Sequence, residues 1–293
     1  MVSRGIGTAE HLPVSASTPV LSYSPVELPA PGRVVDLQIR VSTPATGRDL
    51  PAILLSHGHG NSNHMSSLNG YGPLAQFWAA HGFVVIQPTH LDSKTFGLRD
   101  TPGGPLFWRS RVEDMKRILD GLADVEAMVP APAEPRDRIA VAGHSMGGYT
   151  AGMLLGARLT DPQDGTEVDL TEPRIKAGVL LAAPGSGRAD LSMFAAERYP
   201  VFQNPNFAEM KTPTLVVAGD QDVSSHLTTR GADWYADPYF LSPGPKCLLT
   251  LLGGEHGLGG IPGYDAAETT DESPERVEAV GRLTWAYLGL RQD

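Results

Sequence analysis

Gly143-His144-Ser145-Met146-Gly147 follows the apolar run Ile139-Ala140-Val141-Ala142 and leads directly into a segment compatible with a helix. A serine on a sharp strand-to-helix turn is held in a strained backbone conformation, and flanking glycines let such a turn pass close to neighbouring chain. Its hydroxyl then stands at a helix N-terminus, where the dipole favours developing negative charge. Ser145 is therefore the candidate nucleophile for acyl chemistry. A serine hydroxyl attacks poorly until a histidine takes its proton and a carboxylate orients that histidine. Downstream, Gly219-Asp220-Gln221-Asp222 ends one apolar run and Gly253-Gly254-Glu255-His256-Gly257 ends another. His256, on a glycine-bounded loop, is the candidate base. Asp222, farther out on its turn, is the candidate orienting acid, while Asp220 is expected to bond its own backbone as an Asx turn. Glu255 is expected to be solvated or to serve as a structural partner.

Attack on an acyl carbon creates an oxyanion, which needs two preorganised donors. The N–H of Met146, next after the nucleophile, is the expected first donor; the N–H of His59, in Ser56-His57-Gly58-His59-Gly60, is the expected second. His57, His59, His64, His90 and Asp92 are dense enough to raise a metal reading, yet no H-E-x-x-H or three-histidine spacing organises them. No metal and no cofactor are assigned. His57 is expected to bond loop carbonyls, and His144 to pack within the elbow. Met65, Phe96, Phe107 and Trp108, with Met146, are the large apolar candidates for the substrate pocket wall.

The groups sit at the ends of elements whose pattern is readable. Continuous apolar runs at Ala52–Leu55, Phe83–Ile86, Ile139–Ala142, Ala177–Ala183, Thr214–Ala218 and Leu248–Leu252 suit strands buried on both faces of a parallel sheet. Val34–Val41 alternates like a half-exposed antiparallel strand, and Pro25–Pro31 reads as an edge strand and turn. Val112, Met115, Ile118, Leu119, Leu122 and Val125 recur at helical spacing, which leaves Arg111, Glu113, Asp114, Lys116 and Arg117 mostly for a wet face. Val277, Val280, Leu283, Tyr287 and Leu288 repeat the pattern, and Gly82 is a plausible stop for a helix ending at His81. Strand and helix alternate, so an α/β doubly wound sheet is expected. Residues 88–108, 184–212 and 223–246 are irregular but too short for a large lid domain. They should carry specificity, as loops at strand carboxyl ends usually do.

The chain of 293 residues is read as a loose N-terminal extension over 1–22 and a single domain over 23–293. A formal charge of -10 with no Lys/Arg run argues against a nucleic-acid partner. The single cysteine, Cys247, excludes an intrachain disulfide and is expected to be a buried, inert strand residue. No signal-peptide pattern and no membrane-length apolar window are found, so a cytoplasmic location is expected, with a processed secreted form as the alternative.

Four motifs together resemble the serine α/β-hydrolases that include dienelactone hydrolase-like, chlorophyllase-like and platelet-activating-factor acetylhydrolase-like esterases. They are Leu55-Ser56-His57-Gly58-His59-Gly60, Gly143-His144-Ser145-Met146-Gly147-Gly148, Gly219-Asp220-Gln221-Asp222 and Glu255-His256-Gly257. Trp108–Leu122, with Arg111, Asp114 and Leu119-Asp120, also resembles the helix before the nucleophile strand in that group. The resemblance spans roughly residues 34–290. It implies the α/β-hydrolase fold, a mostly parallel eight-stranded sheet flanked by helices, and a serine carboxylic ester hydrolase working through an acyl-enzyme on a small-molecule ester. Acyl transfer or amide hydrolysis on the same triad is the alternative, and a non-catalytic homologue a further one. Dienelactone hydrolases carry cysteine where this chain has Ser145, whereas polyester hydrolases and cutinases share a similar Gly-His-Ser-Met-Gly elbow, so bulky or polymeric esters stay in view.

Overall fold

The computed structural model describes residues 9, 11–129 and 138–291. Of the segment read as a loose extension over 1–22, residues 1–8 and 10 lie outside the described residues. Eight strands form the main sheet: β1 Val20–Leu28, β2 Leu37–Pro44, β3 Ala52–Ser56, β4 Val84–Pro88, β5 Ile139–His144, β6 Ile175–Leu181, β7 Thr214–Gly219 and β8 Lys246–Leu251. Their spatial order is β1-β2-β4-β3-β5-β6-β7-β8. β2 runs antiparallel to both β1 and β4, and every other neighbouring pair is parallel. The expected sheet is thus observed, with the proline-spaced segment as its antiparallel edge.

Helices α1 Gly72–Ala80, α2 Trp108–Asp120, α3 Leu122–Met128, α4 Met146–Leu154 and α7 Pro274–Gly289 accompany the sheet, with short helices α5 Met193–Arg198 and α6 Asp237–Phe240 in the irregular segments. α7 starts where its local chemistry says it should. Ser273 accepts from the Arg276 N–H, Pro274 occupies the first turn, and Glu275 meets the positive end of the dipole. The α7 residue Thr284 accepts from the Trp78 indole of α1 at 3.0 Å, tying two helices through a fully buried pair. α4 is buried along its whole length, which Gly147, Gly148, Ala151 and Gly152 permit by letting neighbours approach closely.

Two expectations about burial are overturned. Arg111 and Asp114 on α2 do not face water; both are fully buried. They lie on the same flank as Met115 and Ile118, because a 3.6-residue period cannot distinguish an inward charge from an outward one. Cys247 is exposed rather than buried, since β8 is the sheet's terminal strand and only Leu251 of its six residues is buried. A small three-stranded antiparallel sheet, Arg158–Thr160, Glu167–Val168 and Pro205–Asn206, was not legible in the sequence because strands this short carry no period. Among the described residues, no helix is long and apolar enough to cross a membrane.

Register sets up the site. Ser56 pairs opposite Gly143, and His144 opposite Leu181, so β3, β5 and β6 end together along one edge. Gly219 pairs opposite Leu251, bringing the loops after β7 and β8 side by side.

Candidate active site

The turn at Ser145 is as sharp as its glycines require. Ser145 has φ 55° and ψ -121°, a conformation that costs an L-residue free energy and persists only where the surroundings enforce it. A Cβ on Gly143 would stand 2.1 Å from the Gly147 carbonyl oxygen, and one on Gly147 would stand 2.0 Å from the Ser56 carbonyl oxygen. Neither position admits a side chain. The Ser145 N–H donates to the Leu181 carbonyl at 2.9 Å, which pins the elbow to β6 while α4 leads away from it.

The loops after β7 and β8 are zipped together before they reach the elbow. Gln221 N–H donates to the Gly254 carbonyl at 2.9 Å, and Asp220 N–H to the Leu251 carbonyl at 3.1 Å. The Asp220 carboxylate accepts from the Gly253 N–H at 2.6 Å, so it bridges the two loops instead of closing its own turn as the sequence suggested. Beyond this zipper Asp222 Oδ2 lies 2.8 Å from His256 Nδ1, and His256 Nε2 lies 2.9 Å from Ser145 Oγ. The carboxylate is almost fully buried and the imidazole is partly exposed. An ionised carboxylate only accepts, so Nδ1 carries a proton and Nε2 is free to accept the serine proton. Glu255, the neighbour of His256, bonds the Thr270 hydroxyl, a structural partner as expected.

The loop after β3 is held from below by buried charge. Arg111 donates to the His57 carbonyl at 2.8 Å and to Asp92 at 2.7 Å, and His59 Nδ1 lies 2.9 Å from the same Asp92 oxygen. Burial alone would raise the Asp92 carboxyl, but Arg111 and the His59 hydrogen bond outweigh it and hold the group well below the usual carboxylate range. His57 Nδ1 donates to the Gly58 carbonyl while its Nε2 accepts from the His90 N–H, so it bonds the loop backbone as expected. His90 in turn lies between Ser56 and Asp114, whose carboxylate also takes Arg33. This network was not read from the sequence, which placed His57 and His59 on one loop, His90 and Asp92 on another, and Arg111 and Asp114 on the wet face of a helix. Among the described residues, neither the Met146 N–H nor the His59 N–H has a protein acceptor. Both residues line the cleft that contains Ser145 and His256.

That cleft has a volume of about 630 Å³. Its apolar wall includes Met65, Leu106, Met146, Phe194, Tyr199 and Phe202. Of the four aromatic and thioether residues expected beside Met146, only Met65 takes part. Phe107 is buried in a left-handed turn before α2, Trp108 stacks under the Arg109 guanidinium, and Phe96 lies near that of Arg33; none of the three lines the cleft. The wall comes instead from the irregular 184–212 segment, where Phe194, Tyr199 and Phe202 pack edge-on and tilted against one another. The length of that segment was its one signal in the sequence.

The chain matches a family model described as "Alpha/beta hydrolase family" over residues 53–279. Cutinase 2 of Thermobifida cellulosilytica is 26% identical over 185 residues, 63% of this chain and 53% of that protein, so the chain spans about half the length of the curated relative it matches. Among solved structures, an arylesterase has a TM-score of 0.57 at 13% identity, covering 97% of this chain and 89% of that one. An esterase of Pyrobaculum calidifontis has a TM-score of 0.54 at 18% identity, covering 98% and 89%. At such identities the structural likeness reports the fold.

Proposed function

The chain belongs to the alpha/beta hydrolase family, and on that footing we propose that it is a serine carboxylic ester hydrolase working through an acyl-enzyme. The observation that carries this reading is the unbroken line of hydrogen bonds from Asp222 through His256 to Ser145 at the floor of an apolar-walled cleft. Ser145 Oγ attacks the ester carbonyl carbon as His256 Nε2 takes its proton. The carbonyl oxygen becomes an oxyanion and is met by the His59 and Met146 N–H groups. Collapse breaks the bond to the alkoxy group, which receives the proton from His256 and leaves as alcohol. Water then attacks the acyl-enzyme, giving its proton to His256, and Ser145 is regenerated as the acid departs. Asp222 stabilises the imidazolium formed in each half. All of these groups fall within the domain read over 23–293.

A bulky or polymeric ester is the substrate reading that the rim favours. Phe194 and Val223, both lining the cleft, are 52% and 69% exposed, an open apolar margin that suits a substrate extending past the cleft; the cutinase likeness points the same way. The test is Ser145→Ala assayed on a p-nitrophenyl acyl ester, for which a loss on the order of a millionfold in kcat is expected. Turnover near wild type would sink the proposal. A panel running from short acyl esters to a polyester film then separates small from extended substrates.

A further inference from the structure

Tyr71 and His144 are buried side chains outside the reaction described above, and they join its two loops. His144 Nε2 lies 2.7 Å from the His256 carbonyl oxygen, His144 Nδ1 lies 2.8 Å from Tyr71 Oη, and Tyr71 Oη lies 2.9 Å from the Gly58 nitrogen. The direction of every bond is forced. A carbonyl only accepts, so Nε2 carries the imidazole proton; Nδ1 then accepts from the Tyr71 hydroxyl, whose oxygen accepts the Gly58 N–H.

We infer that Tyr71 and His144 are positioning residues, which hold the oxyanion loop and the base loop in register across the nucleophile elbow. The inference rests on the roles proposed for Ser145, His256 and His59. Gly58 immediately precedes His59, the proposed oxyanion donor; His144 immediately precedes Ser145; and the carbonyl that His144 holds belongs to the base itself. One two-residue bridge therefore touches the backbone next to all three functional groups.

Three further observations point the same way. Tyr71 is 1% exposed yet adopts φ 58°, a left-handed conformation that costs a non-glycine residue free energy, and its own N–H donates to the Pro262 carbonyl beyond His256. A Cβ on Gly58 would stand 2.9 Å from Tyr71 Oη and 3.3 Å from His144 Nδ1, so the loop passes too close to the bridge for any other residue. Burial, aided by the neighbouring His256, pushes His144 down to about 3, which keeps it neutral while His256 gains and loses its proton. A second proton on His144 would make Nδ1 a donor and reverse the direction of its bond with the Tyr71 hydroxyl.

The test is Tyr71→Phe, which keeps the ring and removes both bonds of the hydroxyl. A displacement of aligned groups on the ångström scale lowers turnover by up to about a hundredfold, so kcat on a p-nitrophenyl ester should fall by about ten- to a hundredfold while KM changes less than about threefold. His144→Phe should lose as much, and the double variant should lose no more than the worse single one, because both interrupt one chain. His144→Gln, which keeps a donor toward the His256 carbonyl, should recover part of the loss. All rates are normalised to the fraction titrated by a fluorophosphonate, so unfolded protein does not count as slow enzyme. Tyr71→Phe with kcat within about twofold of wild type, or losses that multiply in the double variant, would overturn the bridge. Those outcomes leave the ester hydrolase reading intact, since that reading falls only if Ser145→Ala stays active.

Discussion

Two carboxylate–imidazole pairs open onto the same cleft, and they are nearly identical in local geometry. His256 Nδ1 lies 2.8 Å from Asp222, and His59 Nδ1 lies 2.9 Å from Asp92. Both carboxylates are buried, and both rings are partly exposed along the cleft wall. The pairs differ in what surrounds them. Asp92 shares its oxygen with the fully buried Arg111, which neutralises the carboxylate before His59 can draw on it, whereas among the described residues Asp222 has no cationic partner other than His256. His256 also meets a hydroxyl through Nε2, and among the described residues His59 meets none. A carboxylate–imidazole pair is therefore not a base by virtue of its contact alone. It becomes one when the carboxylate keeps its charge for the imidazolium and a nucleophile stands within reach.

The two carboxylates should accordingly separate under the same substitution. Asp222→Asn should lower kcat on the order of ten-thousandfold, because the amide no longer favours the required tautomer, while the thermal midpoint moves little. Steady-state kinetics and a melting curve on one preparation check both halves. Asp92→Asn should do the reverse. Removing one partner of a buried pair strands the Arg111 charge, so the fold should lose about 3–5 kcal/mol by urea unfolding, while the folded fraction retains most of its turnover. If Asp92→Asn abolished turnover without loss of stability, the contrast drawn between the pairs would fail.

A smaller effect should appear on pH. Behind the two pairs, His57, His90 and His144 are held neutral, chiefly by burial and then by Arg111 for the first two and His256 for the third. Their folded-state values are lowered, so below about pH 6.5 the unfolded chain binds protons that the native one refuses. Stability is therefore intact above that value and is lost progressively as pH falls toward the native value of about 3 for His144. The urea midpoint should drop between pH 7.5 and 5.5; a midpoint that stays level would remove the neutral assignment for these histidines.

How much of this was legible depends on the range of the interaction. The parallel strands were readable because burial on both faces demands unbroken apolar runs, and Ile139–Ala142 or Thr214–Ala218 can hardly do anything else. Ser145, Asp222 and His256 were readable because each lies at the end of such a run, and chain order limits which residues can meet. Arg111 and Asp114 misled because periodicity records which positions share a flank, not what the flank faces. Phe194, Tyr199 and Phe202 were missed because an irregular segment has no period to reveal its inner side.

The chain order of strands, helices and loops, the turn chemistry at Gly143, and the types of the three residues proposed to react were determined locally, by burial and by backbone sterics acting over a few residues. Only the tertiary structure decided which of two matched imidazoles meets the serine, which carboxylate is neutralised, and that Tyr71 and His144 join loops separated by more than a hundred residues. Those outcomes rest on distances of about 3 Å between groups far apart in the chain. No local rule encodes such distances, because they are set by how all the elements pack at once.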